Sequence, residues 1–377
     1  MVIPLETEIV VVGGGPAGLA AALAVRQKGF EVCVVDRAQP PTDKACGEGV
    51  MPDGVTALSR LGVCLGVDHG VPFRGIRFVG DQRIAEASFP RGSGIGIRRT
   101  ALHHILQDRA RAAGIVTAWG MKVTGVDPEG VRLRDQLIRC RWIIAADGSV
   151  SQIRQWAGLS PIRQDGGRIG LRQHFRIKPW SDFVEVHWAN GCQAYVTPVG
   201  PEEVCIALLS RERELRFTEL AAHFPQLGRH LKNAEPTDAV RGGKVASVHL
   251  RRVTCGRIAL IGDASSSIDA VTGEGLTLAF RQAEALAAAL AENDLSSYEA
   301  AHRRICRMPF FMARLLLLMD EHHGLRKIGL QALASQPGTF SRLLAAHVGA
   351  RHPAAASLDI LALTVGLLTH AVTLHAV

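Results

Sequence analysis

The chain has 377 residues, 47% hydrophobic and 21% charged, which predicts two domains or one composite unit with a sizeable core. This balance excludes a disordered chain, a collagen repeat and a coiled coil. Lys and Arg exceed Asp and Glu by 8, but they form no run of five, so the excess reads as an ordinary basic surface rather than nucleic-acid binding.

The 39 glycines and 5% aromatics suit a nucleotide-binding α/β fold better than a β-sandwich. Residues 8–13 (E-I-V-V-V-G) predict a strand buried on both faces. G-G-G-P-A-G follows at 13–18, then an Ala/Leu-rich helix that Gly29 stops. Residues 31–36 (E-V-C-V-V-D) predict the next strand. Gly13, Gly15 and Gly18 thus form G-x-G-x-x-G between a strand and a helix. Gly13 permits the tight turn, Gly15 admits a pyrophosphate to the backbone, and Gly18 lets helix pack on strand. The helix start at Pro16-Ala17 offers free N–H groups to phosphates. Asp36, with Arg37 beside it, is placed to accept from a ribose hydroxyl.

Residues 37–54 predict a loop carrying K-A-C-G-E-G-V-M-P at 44–52. A helix is expected over 99–113, with short strands to Val126 that bring Val123 toward the cofactor. Residues 137–146 predict a strand ending at Asp147-Gly148. Between about 165 and 250 the alternation at 169–177, 183–188 and 204–209 predicts an antiparallel sheet with one exposed face. Residues 257–263 return to the buried-strand pattern. A Gly-rich turn and a helix over 275–291 follow, and from 297 onward only helices are expected. The eight cysteines show no C-x-x-C spacing, which predicts reduced, mostly buried thiols, no metal site and a cytoplasmic protein. The N-terminus, with Glu6 and Glu8, does not read as a signal peptide.

Two further segments match D-G-x-x-S-x-x-R (147–154) and G-D-A…G-x-G (262–276). With them the chain resembles the FAD-dependent aromatic-hydroxylase-like superfamily, the para-hydroxybenzoate hydroxylase fold. It is most similar to the geranylgeranyl-reductase-like branch, through C-G-E-G at 46–49 and T-G-E-G at 272–275. The resemblance covers about residues 1–290. It implies a Rossmann-like FAD-binding domain of the α/β class, a parallel sheet with helices, at 1–165 and 251–300. An inserted antiparallel substrate sheet would take 70–95 and 166–250, and a helical C-terminal region 301–377. It also implies that Gly262-Asp263 serves the ribityl chain and that Gly273, Glu274, Gly275 and Leu276 face the pyrimidine end of the flavin. Asp147-Gly148 would lie near the pyrophosphate, Cys46-Gly47 near the isoalloxazine, and Arg99 near the phosphate and ribityl region, with Arg98 as its rival. Cys46 could donate a proton, contact substrate or only pack a glycine loop. Tyr195 and Pro198 stand where the superfamily forms a substrate-sheet motif, and Tyr195 could equally be a core aromatic.

Ser265, Ser266 and Asp269-Ala270 depart from the hydroxylase G-D-A-A-H…P pattern, and no W-x-W-x-I-P halogenase signature is present. The function expected is an FAD-dependent monooxygenase acting on a hydrophobic phenolic, polyketide or quinone-type substrate. With one dinucleotide fingerprint, NAD(P)H would dock transiently as electron donor. The alternative is reduction of isoprenoid C=C bonds; a non-enzymatic lipid-escort role fits the complete cofactor motifs poorly. The adjacent pairs His103-His104 and His322-His323 lack the i,i+4 spacing of helix metal ligands, and solvated or capping roles are expected for them. Residues 308–319 could floor a greasy pocket or be core. Residues 360–377 carry no Asp, Glu, Lys or Arg; a helix docked on the core, a peripheral membrane contact and a membrane span all remain open.

Overall fold

A computed structural model describes residues 3–80, 83–212 and 215–351, without the side chains of 163–166 and 246. The apolar segment 360–377 lies outside the described residues. The helices are α1 (Pro16–Gln27), α2 (Pro52–Arg60), α3 (Arg99–Ala112), α4 (Gln152–Trp156), α5 (Leu220–His223), α6 (Pro225–Leu231), α7 (Gly275–Ala291), α8 (Leu295–Glu321), α9 (His323–Ser335) and α10 (Pro337–His347).

The continuous β-branched runs become the middle of one sheet. Its strands are ordered Thr254–Cys255, Ile258–Leu260, Leu137–Ala145, Glu6–Val12, Val32–Asp36 and Val116–Trp119. The last five run parallel, with Val12 level with both Ala145 and Val35. Ile9, Val10, Val11, Val34 and Ile144 are buried in one core cluster with Leu19 and Leu23 of α1, Leu102 and Leu106 of α3 and Phe280 of α7. Gly13, Asp36, Asp147 and Gly262 therefore all emerge at the carboxyl ends of these strands, where open α/β sheets bind ligands.

A second, mostly antiparallel sheet is ordered Glu235–Pro236, Pro161–Arg176, Glu203–Ser210, Cys192–Gly200, Val184–Ala189, Gly75–Val79 and Ile84–Ser88. Arg241–Leu250 pairs along the other stretch of Pro161–Arg176. The expectation of one exposed face is corrected here. Val184–Trp188, Cys192–Val199 and Val204–Ser210 are buried throughout. One face packs against Leu220, Phe224 and Leu227 of α5, α6 and their junction. The other faces α8, α9 and α10, with Phe340 against Phe78 at 5.1 Å between ring centroids. The polar residues that gave the alternation, such as Glu185 and Gln193, are instead satisfied inside: Glu185 by Arg77, Trp180 and His187, and Gln193 by Arg168 and Asp320. The expected loop 37–54 also ends early, since Gly49–Val50 pairs with Gly94–Gly96 and Pro52 opens α2.

Candidate active site

The groove over the first sheet is built from the glycine turn. Gly13 has φ +109°, and a Cβ there would lie 2.3 Å from the Ala146 carbonyl oxygen. A Cβ on Gly18 would lie 1.8 Å from the Gly13 oxygen, so that glycine is for packing, whereas Gly15 faces open space. Pro16 and Ala17 start α1 and line the groove with Gly15, Asp36 and Arg37. Asp36 accepts the Gly14 and Ala38 amides at 2.6 and 2.8 Å, which fixes its carboxylate at the strand end. From α3, buried His103 donates from Nε2 to the Gly14 oxygen at 2.8 Å. Burial lowers its pKa despite that carbonyl, so the ring is neutral. A solvated role for His103 is therefore corrected: it braces the glycine turn from below, beside Trp119.

The D-G-x-x-S-x-x-R segment is a self-contained latch. The Asp147 carboxylate accepts Ser151 Oγ and the Gln152 and Ile153 amides, at the start of α4. Arg154 donates to the Ser149 and Ala264 carbonyls and ties this turn to G-D-A. Asp147-Gly148 lines the groove, but its carboxylate is occupied by α4. The two arginine candidates separate clearly. Arg98 is held by Glu203 and Asp238. Arg99 lines the groove, and its buried Nε has no partner among the described residues. Met121, Lys122 and Val123 form the wall next to it.

At the far end, Gly262 donates its amide to Gln282, and Asp263 is ion-paired with Lys44. Gly273 is left-handed at φ +67°, Gly275 opens α7, and both line the cavity with Leu276. The Glu274 carboxyl is buried with no hydrogen bond among the described residues. Burial, and then Asp53, push its pKa well above the usual carboxylate range. Burial lowers neighbouring His347 to about 4. Their 3.5 Å approach is thus between a protonated carboxyl and a neutral imidazole, not an ion pair.

Opposite this turn, Cys46 and Gly47 line the cavity. Glu48 has φ +58°, rare for a side chain other than glycine. Two contacts hold it there: its carboxylate accepts the Arg99 amide at 3.0 Å and lies 2.6 Å from His174 Nε2. His174 Nδ1 is 2.8 Å from Asp238, which Arg172 also holds. Donor atoms of Glu48, His174 and Cys205 converge within 4.8 Å, but the first two are already hydrogen-bonded to each other. The Glu48 amide donates to Cys46 Sγ at 3.4 Å, which fixes the C-G-E-G turn.

From this end the groove opens into a chamber between the second sheet and the C-terminal helices, ≈ 970 Å³ in all. Phe73, Phe78, Val186, Leu316, Met319 and Leu344 are among its walls. From the apolar run 308–319, Met312, Leu315, Leu316, Leu318 and Met319 line the chamber. Tyr195 joins the wall through its ring, and its hydroxyl donates to the Val271 carbonyl at 2.9 Å. Pro198 does not join it; its carbonyl packs where Gly96 leaves room for it.

The sequence profile of the FAD binding domain family matches residues 6–294. The chain belongs to that family. It is 28% identical to the menaquinone reductase of Mycolicibacterium smegmatis over 78% of this chain and 79% of that one. It is 26% identical to digeranylgeranylglycerophospholipid reductase 2 of Methanosphaera stadtmanae, over 73% and 75%. A geranylgeranyl bacteriochlorophyll reductase-like protein of Thermoplasma acidophilum shares the fold, with TM-score 0.72 and 20% identity over 88% of this chain and 92% of that one. The chain is an FAD-dependent oxidoreductase of the aromatic-hydroxylase-like superfamily, with a likeness to the geranylgeranyl-reductase branch.

The residues present fit FAD. Gly15 leaves open space where a Cβ would lie, and Arg99, lining the same groove, carries a buried donor with no partner among the described residues. Gly13, Gly15, Pro16 and Ala17 would hold the pyrophosphate, Asp36 a ribose, and Asp263 the ribityl hydroxyls. Sequence reading missed Trp119, the bracing contact of His103 and the pairing of Lys44 with Asp263. Lys44 lies in a loop 219 residues from its partner, with no local pattern to mark it.

Proposed function

We propose that the chain is a NAD(P)H-dependent FAD monooxygenase that hydroxylates a hydrophobic phenolic, polyketide or quinone-type substrate. The observation that carries this reading is the continuity of two unlike spaces, a polar dinucleotide groove and an apolar chamber meeting at Cys46, Gly273 and Glu274. Bound FAD, once reduced, supplies the electrons that activate O₂. The chain orients and dries the reaction. The N-terminus of α7 at Gly275 favours negative charge at the ring end of the groove. Walls such as Phe73, Val186 and Leu316 exclude water, which protects a reactive oxygen species from unproductive decay. The Cys46 sulfur is engaged by the Glu48 amide, and oxygen transfer needs no thiol. NAD(P)H would dock transiently, because the sequence carries one dinucleotide fingerprint and FAD would fill its groove.

C=C reduction is the second reading. It is favoured by the place of Cys46 in the chamber wall and by the reductase names of the relatives above. One experiment separates the two. The flavin is reduced anaerobically, candidate alkyl phenols or polyprenyl quinones are added, and products are followed with and without O₂. Oxygenated product that requires O₂ supports the first reading. Saturated product formed without O₂ overturns it in favour of the second.

A further inference from the structure

The apolar chamber reaches the protein surface between α8 and α9. Leu318 and Leu325 line it, yet they are 46% and 50% exposed. Phe311 and Ile328 stand exposed on the same hairpin. Along α8, Arg307, Phe311, Arg314 and Leu318 follow at steps of four, three and four residues, which places them in one stripe about 60° wide. All four are exposed. On an exposed face of this kind the arginines can reach anionic headgroups while the apolar side chains beside them reach deeper, as long basic side chains do at a membrane interface. The cations are available: Arg307, Arg314 and Lys327 have no acidic partner among the described residues. The acids at that end, Asp320 and Glu321, are both engaged by Arg211.

We propose that this α8–α9 face docks on an anionic bilayer, and that the apolar substrate passes from lipid into the chamber between Leu318 and Leu325. The arginines would meet headgroup phosphates while Phe311 and the leucines reach the acyl boundary. A bilayer fits better than a protein partner because the face surrounds an opening. A protein seated there would block entry to the chamber, whereas a bilayer both covers the apolar rim and holds hydrophobic molecules in solution. The inference rests on the chamber being the substrate site, but not on the type of reaction. It concerns a surface other than the apolar segment 360–377.

The test uses the full, FAD-loaded chain and vesicles of phosphatidylcholine with or without about half phosphatidylglycerol, in about 0.1 M NaCl. Binding to the anionic vesicles should be at least about tenfold tighter, and Arg307→Glu/Arg314→Glu should weaken it about tenfold or more. Raising NaCl to about 0.5 M should do the same to the wild type. FAD content and NAD(P)H oxidation without lipid should match the wild type, which shows that the variant is folded. The variant should also turn over detergent-dispersed substrate normally and vesicle-embedded substrate slowly. Vesicle binding is scored without turnover, so a failed hydroxylation assay leaves the docking result intact. Wild-type binding that survives the charge reversal overturns the proposal and passes the contact to another segment, 352–377 first. A dimer that Phe311→Ser dissociates, without vesicle binding by the wild type, overturns it as well and assigns the face to a second copy.

Discussion

Lys44 Nζ lies 2.9 Å from Asp263 Oδ2, across a separation of 219 residues. Both side chains are partly exposed, so the pair adds little to stability. Its meaning is positional: it brings the 37–48 loop onto the G-D-A turn at the ribityl end of the groove. Lys44→Ala should therefore leave thermal unfolding almost unchanged. Asp263→Ala removes the carboxylate that would accept from the ribityl hydroxyls. A hydrogen bond to a charged group contributes about 1.5–3 kcal/mol, so FAD affinity should fall roughly 10- to 150-fold. Equilibrium dialysis of FAD with circular dichroism of the apoprotein checks both. Stoichiometric FAD at unchanged affinity in Asp263→Ala would place the ribityl chain elsewhere.

Gly15 and Gly18 should fail in different ways. The space beside Gly15 is open in the protein, and its φ of −69° suits alanine. Gly15→Ala should fold normally and lose FAD, because the methyl projects where the pyrophosphate would lie. A Cβ on Gly18 meets the Gly13 carbonyl oxygen at 1.8 Å. Gly18→Ala must push α1 off its strand, and should unfold or melt far below the wild type even with FAD in excess. Equal melting temperatures for the two apoproteins would contradict this division.

The cofactor half was legible because its constraints are local. Strand, glycine turn and helix occupy consecutive residues, and the spans expected at 99–113 and 275–291 match α3 and α7 to within a residue. The second sheet was legible as strands but not as a layer. Its Glu, His and Gln residues alternate like a solvated face, yet Arg77 reaches Glu185 from the neighbouring strand and Arg168 reaches Gln193 across the intervening strand Glu203–Ser210. That compensation depends on pairing across more than twenty residues, which no local period contains. The Glu48–His174–Asp238 chain was hidden for the same reason. What distinguished Arg99 from Arg98 was likewise tertiary: Glu203 and Asp238 claim Arg98 and leave Arg99 to the groove.

The T-G-E-G turn should give the protein an unusual pH response. Burial raises Asp53 to about 6, against the opposing Arg281, and lowers His347 to about 4. Between about pH 4 and 6 the native state keeps a proton on Asp53 and none on His347, while the unfolded chain has the reverse. Their proton counts nearly cancel there. Glu274 remains uncompensated. Its native pKa is raised, so its proton is retained on folding and stability falls as pH climbs above the unfolded value. Glu274→Gln mimics the protonated carboxyl. It should stabilise the FAD-saturated protein relative to the wild type at pH 8, and the difference should shrink toward pH 5. A constant difference across that range would mean that Glu274 is ionised in the native state.

Cys46 offers the sharpest test of the reaction type. It lines the cavity where the groove meets the chamber, and its sulfur accepts the Glu48 amide at 3.4 Å. Serine keeps that acceptor, so Cys46→Ser should preserve the turn and the FAD content. If the enzyme transfers oxygen, no thiol proton is needed at the substrate carbon. The loss in single-turnover rate should then stay within about tenfold, or roughly 1.4 kcal/mol of barrier. If it reduces a C=C bond, hydride reaches one carbon and a proton must reach the other. A thiol shielded from water would be that donor, and losing it should cost about 10²–10⁴ in rate. The measurement is oxidation of the pre-reduced flavin with substrate present, in wild type and Cys46→Ser, at matched FAD content. A hundredfold loss would move the assignment from hydroxylation to C=C reduction.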